Sequence, residues 1–154
     1  AGLFVLCILM FIGASPGSTG GGIKTSTFFV LIQAVRSMYT TRSVHTFHRS
    51  ISRQNIFKAC MITLLSGAVV CVATFLMCIL EPDCTLMQLI FEVVSAFGTV
   101  GLSTGITPDL STAGKFVIIL VMYTGSLGAF PLLSVWMKQK EPHVRYSEET
   151  IAIG

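Results

Sequence analysis

Residues 59–80 form one uncharged, mostly apolar segment, ACMITLLSGAVVCVATFLMCIL. An α-helix rises about 1.5 Å per residue, so about 20 apolar residues are needed to cross the hydrocarbon core of a bilayer. Residues 116–137, FVIILVMYTGSLGAFPLLSVWM, meet the same requirement. We expect a transmembrane helix at each of these places, and the sequence therefore predicts an all-α membrane protein.

The composition agrees with this class. Of the 154 residues, 53% are hydrophobic and only 11% are charged, whereas soluble domains contain about 25% charged residues. The net charge of +3 is too small to indicate nucleic acid as a partner. No arrangement of serine, histidine and carboxylate side chains indicates hydrolysis, so we expect neither an enzyme nor a covalently bound cofactor.

A glycine-rich stretch interrupts the apolar beginning of the chain. Residues 3–12 and 27–35 are apolar but too short to span a bilayer, and GASPGSTGGGIKTS lies between them. Glycine and proline at this density end a helix. Non-helical backbone at membrane depth is tolerated only where it is buried in protein or lines a wet cavity. We therefore expect one broken crossing with a functional middle, and a chain that is the C-terminal part of a longer protein.

The same stretch is close to a nucleotide-binding P-loop, G-x-x-x-x-G-K-[ST]. Gly17 and Gly22 have the required separation, but Ile23 is inserted before Lys24 and Thr25. A P-loop also follows a strand and opens a helix of a soluble framework, which the apolar surroundings do not supply. A P-loop nucleotide-binding membrane protein is the weaker alternative for this chain.

A second short apolar segment precedes another turn-rich one. Residues 86–97, LMQLIFEVVSAF, would reach only about 18 Å as a helix, which suits a re-entrant pore helix. GTVGLSTG follows, and backbone carbonyls of such an extended strand can replace the water of a permeating cation. Gly101 would adopt backbone angles closed to other residues, and the carboxyl end of the helix would favour a cation. The predicted filter consists of Thr99, Val100, Gly101, Leu102 and Ser103.

The charges predict how the chain is oriented. Residues 36–58 contain five basic side chains and no acidic one, whereas residues 81–109 contain four acidic side chains and no basic one. Basic loops stay in the cytoplasm. We therefore expect a cytoplasmic linker at 38–58 and a cytoplasmic tail at 138–154, with the linker arginines meeting anionic lipids or a docked subunit.

Two long motifs resemble one known family. FEVVSAFGTVGLSTGITPDLSTAGK, residues 91–115, is similar to the last pore loop of the Trk/Ktr potassium transporters. GASPGSTGGGIKTSTF, residues 13–28, is similar to the broken inner helix of the third repeat of that family, and RYSEETIAIG is similar to its cytoplasmic C-terminus. The resemblance implies four repeats of outer helix, pore helix, filter and inner helix around one pore. It also implies a membrane homodimer with cytoplasmic nucleotide-binding regulatory subunits.

By this resemblance, residues 1–37 are the broken inner helix of the preceding repeat, and residues 59–137 are the last repeat. An intramembrane gate loop at 13–26 would obstruct permeation below the filter. Lys24 is either a fixed positive charge near the pore or a side chain that reaches the cytoplasmic interface. The implied gate-loop residues are Gly13, Ala14, Ser15, Gly17, Ser18, Thr19, Gly20, Gly21, Gly22 and Lys24.

The inner helix departs from the family pattern. Gly125 and Gly128 flank Ser126, where the family usually has a gate-facing arginine in G-R-x-G. Loss of that charge predicts a leakier or differently regulated gate, or a subunit with degraded conduction. On the pore helix, Glu92 either braces the filter through its backbone or reaches external water.

The sequence thus predicts a membrane subunit of a potassium uptake system in the cell membrane. The backbone carbonyls of Thr99, Val100 and Gly101 would bind K+, with Na+ as the alternative transported ion. A two-helix subunit of a tetrameric cation channel is the second alternative, and the broken helix at the start argues against it.

Overall fold

The computed structural model describes residues 2–40, 45–46, 49–50 and 53–128. It contains two short strands, β1 (His45–Thr46) and β2 (Arg49–Ser50), which pair antiparallel with His45 opposite Ser50. Apart from this pair the described elements are helices, which confirms the all-α class in its general form. The helices are α1 (Gly2–Phe11), α2 (Thr25–Thr40), α3 (Arg53–Leu80), α4 (Leu86–Gly98) and α5 (Thr112–Leu127).

Helix α4 lies at the centre and contacts α1, α3 and α5. Its bounds agree with the predicted pore helix at 86–97. A helix that is buried on all sides must be apolar on all sides, which explains why LMQLIFEVVSAF has so few polar residues. Its first turn is fixed by Gln88, whose Oε1 accepts hydrogen bonds from the backbone N–H and the hydroxyl of Thr85. The buried residues of α4 are Leu89, Phe91, Glu92, Val93, Val94, Ser95, Ala96, Phe97 and Gly98.

Two apolar clusters hold α4 against its neighbours. One joins Met77 of α3 and Val121 of α5 to Phe97, which is 1% exposed. The other joins Cys7 and Met10 of α1 to Phe91 and Val94 of α4. The two clusters fix α4 from three sides, so the segment that follows it starts from a rigid position.

Within the described residues, one helix is long and apolar enough to cross a membrane, from Gln54 to Leu80. Helix α3 begins at Arg53, earlier than residue 59, because the polar residues before the apolar segment continue the same helix. Large apolar side chains cover its outside: Leu64 is 74% exposed and Phe75 is 66% exposed. Such a surface suits a lipid environment.

Helix α5 differs from the predicted span at 116–137. It begins at Thr112, because the hydroxyl of Ser111 accepts a hydrogen bond from Gly114 N–H at 3.1 Å, as N-cap residues do. It ends at Leu127, because Gly128 has φ 82° and ψ 145°. Residues 129–137, the predicted tail at 138–154 and part of the predicted linker at 38–58 lie outside the described residues.

Candidate functional site

The glycine-rich segment between α1 and α2 is a loop whose two ends are joined to each other. Gly13 N–H donates to Ile23 O at 2.8 Å, and Ile23 N–H donates to Phe11 O at 3.1 Å. A Cβ at Gly13 would overlap the carbonyl oxygen of Gly21, and Gly22 has φ 79°. Glycine is therefore required where the loop closes on itself. The loop covers residues 13–24, since Thr25 already belongs to α2.

Lys24 binds the carbonyl groups of its own loop. Its Nζ donates to Ser18 O at 3.0 Å and to Gly20 O at 2.6 Å. The sequence left open a charge near the pore and a side chain at the interface, and it did not indicate this contact within the loop. The ammonium group thus joins the carbonyl groups of two residues of the loop.

Gly21 brings the loop to the end of α4. Its N–H donates to Thr99 Oγ1 at 2.7 Å. A Cβ at Gly21 would lie 2.6 Å from the carbonyl oxygen of Phe97, 2.9 Å from Cγ2 of Thr99 and 3.1 Å from the carbonyl carbon of Gly125. The glycine loop therefore touches the first residue of the predicted filter, as well as the helices on either side of it.

Thr99 ends α4 in an unusual backbone conformation. Its φ of 53° and ψ of 37° are left-handed, which for a β-branched residue is an outlier that costs of the order of 1–3 kcal/mol. Two hydrogen bonds hold the turn, from Thr99 N–H to Ala96 O and from Val100 N–H to Ser95 O, both at 3.0 Å. The turn leads the chain from the helix end into the predicted filter segment, which has no regular secondary structure.

The predicted filter segment has no regular secondary structure and is mostly exposed. Gly101 has φ 81°, as predicted, and Leu102 O accepts a hydrogen bond from the buried Ser95 hydroxyl at 2.5 Å. Val100 and Leu102 are 45% and 48% exposed. Among the described residues, no hydrogen bond involves the carbonyl oxygens of Thr99, Val100 or Gly101. The three carbonyls predicted to bind an ion are thus distinct from the one that fixes the segment to α4.

Glu92 is 5% exposed and binds the last residue of the predicted filter together with two residues that follow it. Its Oε1 accepts from the Ser103 hydroxyl, from Thr104 N–H at 2.9 Å and from the Thr104 hydroxyl at 3.3 Å. Its Oε2 accepts from the Thr107 hydroxyl at 3.1 Å. A buried carboxylate needs several donors of this kind. Within residues 99–103, Glu92 thus binds the hydroxyl of Ser103 and not the filter backbone that the sequence analysis named, while the backbone N–H that it binds belongs to Thr104.

The residues predicted on the inner helix separate into two environments. Gly125 is buried, and a Cβ there would overlap the carbonyl oxygen of Phe97. The side chain of Ser126 is exposed, and Gly128 terminates the helix. Only Gly125 of the three therefore contacts the junction between the loop and the filter.

Sequence reasoning missed several residues of this site. Ser95 was not predicted to bind the predicted filter segment, and Thr104 and Thr107 were not predicted to bind Glu92. Glu81 was not predicted to accept from Ser111 N–H at 2.8 Å. One signal was available for Ser95: a hydroxyl on a helix that is otherwise apolar requires a partner once the helix is buried.

Comparison with known proteins identifies the class. The chain belongs to the TrkH family of cation transport proteins, whose family model matches residues 1–144. Membership of a transporter family agrees with the apolar surface of α3 and implies a location in a membrane.

Three characterised relatives are similar along almost the whole chain. The chain is 42% identical to Ktr system potassium uptake protein D of Bacillus subtilis, over 99% of the chain and 34% of the relative. It is 36% identical to Ktr system potassium uptake protein B of Vibrio alginolyticus, over 99% of the chain and 33% of the relative. It is 37% identical to potassium/sodium uptake protein NtpJ of Enterococcus hirae, over 100% of the chain and 36% of the relative. The chain thus spans about a third of the length of these relatives.

Proposed function

We propose that the chain supplies the last filter strand and the gate loop of a four-repeat pore that conducts K+ in the membrane subunit of a potassium uptake system. One observation carries the proposal. Gly21 of the glycine loop donates to Thr99, the first residue of the filter segment, across 78 positions of sequence. A loop that obstructs a pore must lie against the inner end of its filter, and this contact supports such a position.

The filter segment has the chemistry that a dehydrated cation needs. The carbonyl groups of Thr99, Val100 and Gly101 follow the carboxyl end of α4, whose partial negative charge favours a cation. Successive carbonyls of an extended strand can replace the hydration shell of an ion. Glu92 and Ser95 fix the segment from behind without supplying the ion ligands, so the strand can keep one shape while ions pass.

The names of the relatives supply the ion and the kind of system. Potassium uptake is named in the relatives from Bacillus subtilis and Vibrio alginolyticus, and potassium or sodium uptake in the one from Enterococcus hirae. The term Ktr system indicates several components. We therefore propose K+ as the transported ion with Na+ as the alternative, a homodimer in the cell membrane, and a cytoplasmic nucleotide-binding regulatory subunit. In this arrangement the linker at 38–58 and the C-terminus face the cytoplasm.

The two alternatives fit the structure less well. A P-loop joins a strand to a helix, whereas the glycine loop joins α1 to α2, and Lys24 binds its own loop. A simple two-helix channel subunit needs no such loop, yet the loop here packs against α4 and α5 through Gly21.

Growth of an uptake-deficient bacterium in limiting potassium tests the proposal. The complete reading frame that encodes this chain would be expressed with glycine or aspartate at position 101. We expect rescue by the unchanged protein and none by Gly101→Asp, because a carboxylate at φ 81° distorts the filter and traps the ion.

Gly105→Asp is the matched control, since Gly105 also has a positive φ, 94°, but follows the filter. It should retain rescue. If Gly101→Asp supported growth as well as the unchanged protein, with equal amounts in the membrane, the filter would not be at residues 99–103.

A further inference from the structure

The contact between Gly21 and Thr99 places a hydrogen-bond donor where the filter would offer an oxygen to an ion. The Gly21 N–H reaches Thr99 Oγ1 at 2.7 Å, a short distance for a bond between an amide and a hydroxyl. The hydrogen of an N–H group carries a partial positive charge. The loop therefore presents a positive pole to the same oxygen that a cation at the inner end of the filter would use.

We propose that the Thr99 hydroxyl is one acceptor for which the gate loop and the transported alkali-metal ion compete. This inference rests on the proposed function, because it requires that the segment at 99–103 is a filter and that the loop gates it. When the loop is seated, its N–H takes the hydroxyl oxygen and repels a cation beside it. When the loop withdraws, the oxygen becomes the innermost ligand of the ion.

The shape of the junction brings the loop backbone close to the filter segment. No side chain stands between the loop and the filter, because a Cβ at Gly21 would lie 2.6 Å from Phe97 O and 2.9 Å from Cγ2 of Thr99. The loop backbone itself is therefore at the hydroxyl, and in this proposal an ion that binds there displaces it. The left-handed turn at Thr99 is fixed by α4 through the Ala96 and Ser95 carbonyls, so the hydroxyl stays in place for either partner.

The consequence is regulation by the transported ion. Two ligands that exclude each other at one atom are coupled, and each weakens the binding of the other by the same factor. A higher concentration of K+ should therefore shift the loop away from the filter. The withdrawal of the loop in K+ would depend on the Oγ atom of residue 99 and not merely on the size of the side chain at that position.

Chemical labelling of the loop tests the competition. In the complete protein, purified in detergent with its native cysteines replaced, Thr19→Cys places a reporter on an exposed loop residue. Its rate of modification by a charged methanethiosulfonate reagent is measured in K+ and in N-methylglucamine. With threonine at position 99, we expect K+ to raise the rate by about fivefold or more, the usual lower range of coupling between sites.

Two substitutions at position 99 separate the hydroxyl from the shape of the side chain. Thr99→Ser keeps the oxygen and should keep the response to K+. Thr99→Val keeps the branched shape but has no acceptor, so the reporter should react fast in both solutions. If the valine variant is not monodisperse, Thr99→Ala takes its place with the same expectation. A response to K+ that survives the loss of the hydroxyl would overturn the proposal.

Rubidium uptake by the unchanged protein in liposomes separates this inference from the function on which it rests. Uptake together with a reporter rate that ignores K+ would refute the competition alone. Absence of uptake would refute the proposed function, and the competition with it.

Discussion

The backbone of Gly125 lies directly against the carbonyl group of Phe97. A Cβ at Gly125 would overlap that carbonyl oxygen and lie 2.8 Å from its carbon, and a Cβ at Gly21 would lie 3.1 Å from the carbonyl carbon of Gly125. Close approach of this kind is how small residues bring membrane helices together. Three parts of the chain, the glycine loop, the end of α4 and the helix α5, therefore meet at one point without side chains between them.

Gly125→Ala should destabilise the protein, because the new methyl group must push α5 away from the end of α4. Overpacking of this type costs about 1–3 kcal/mol, measured as a lower midpoint of thermal unfolding of the detergent-solubilised protein. Gly67→Ala on α3 is the control. Its Cβ would meet nothing within 4 Å, and alanine should be neutral or stabilise by about 0.5–1 kcal/mol. Equal midpoints for the two variants would contradict the packing at Gly125.

Glu92→Ala should destabilise the protein and reduce its preference for rubidium over sodium. The substitution removes the charged acceptor of the part-buried hydrogen bonds from Ser103, Thr104 and Thr107, and a hydrogen bond to a charged group contributes about 1.5–3 kcal/mol. Unfolding midpoints and competitive uptake measure the two effects.

Glu92→Gln should retain most of the stability, since its amide oxygen can still accept from Thr104 N–H. Asp83→Ala is the control, because Asp83 is an exposed carboxylate before α4 and should change neither quantity. A Glu92→Ala variant with unaltered stability and selectivity would rule out the bracing role.

Lys24→Met should loosen the glycine loop. The methionine keeps the bulk of the side chain but cannot donate to Ser18 O and Gly20 O. If the two hydrogen bonds stabilise the closed loop by about 1.4 kcal/mol, their loss raises the equilibrium constant for loop opening about tenfold. Amide hydrogen exchange within residues 15–21 should then become about tenfold faster. Lys115→Met removes a similar bond, to Pro108 O at 2.9 Å, outside the loop and should leave that exchange unchanged. Equal exchange in both variants would show that Lys24 does not hold the loop.

Ser126→Arg should lower rubidium uptake measured without the regulatory subunit. Ser126 is exposed next to Gly125, and arginine carries a fixed charge at any physiological pH. If this charge raises the free-energy barrier to cation permeation by about 1.4 kcal/mol, rubidium uptake should fall about tenfold. Ser126→Met controls for the volume of the side chain and should change uptake little. Uptake by the arginine variant at or above that of the unchanged protein would refute the leakier gate predicted from serine.

The helix α4 was predictable from sequence because the length and low polarity of its segment indicate a short buried helix. An apolar segment of 86–97 is too short to span a membrane, and its observed bounds are Leu86–Gly98. The predicted ends of the other helices were less accurate, because the capping residues that start and stop a helix do not depend on the hydrophobicity of the segment. Ser111 starts α5 before the apolar segment, and Gly128 stops it within that segment.

The contacts of the site were not predictable, because they join residues that are far apart in sequence. Nothing near Gly21 indicates that its N–H reaches Thr99, and nothing near Glu92 indicates the hydroxyl groups of Ser103 and Thr107. The sequence also gave Lys24 two possible environments, neither of which was the loop carbonyls. Residue types and spacing indicate what a segment can do, whereas its partners depend on the packing of α4 against α5.

Rubidium uptake into liposomes, driven by an inside-negative membrane potential, is the measurement that tests the central claim most directly. The complete protein containing this chain would be reconstituted, with the unchanged sequence and Gly101→Asp compared at equal protein content. We expect an inside-negative potential to drive uptake by the unchanged protein, K+ to compete with rubidium, and the aspartate variant to be inactive. Uptake that is equal in both proteins, or absent from correctly inserted unchanged protein, would contradict a cation filter at residues 99–103.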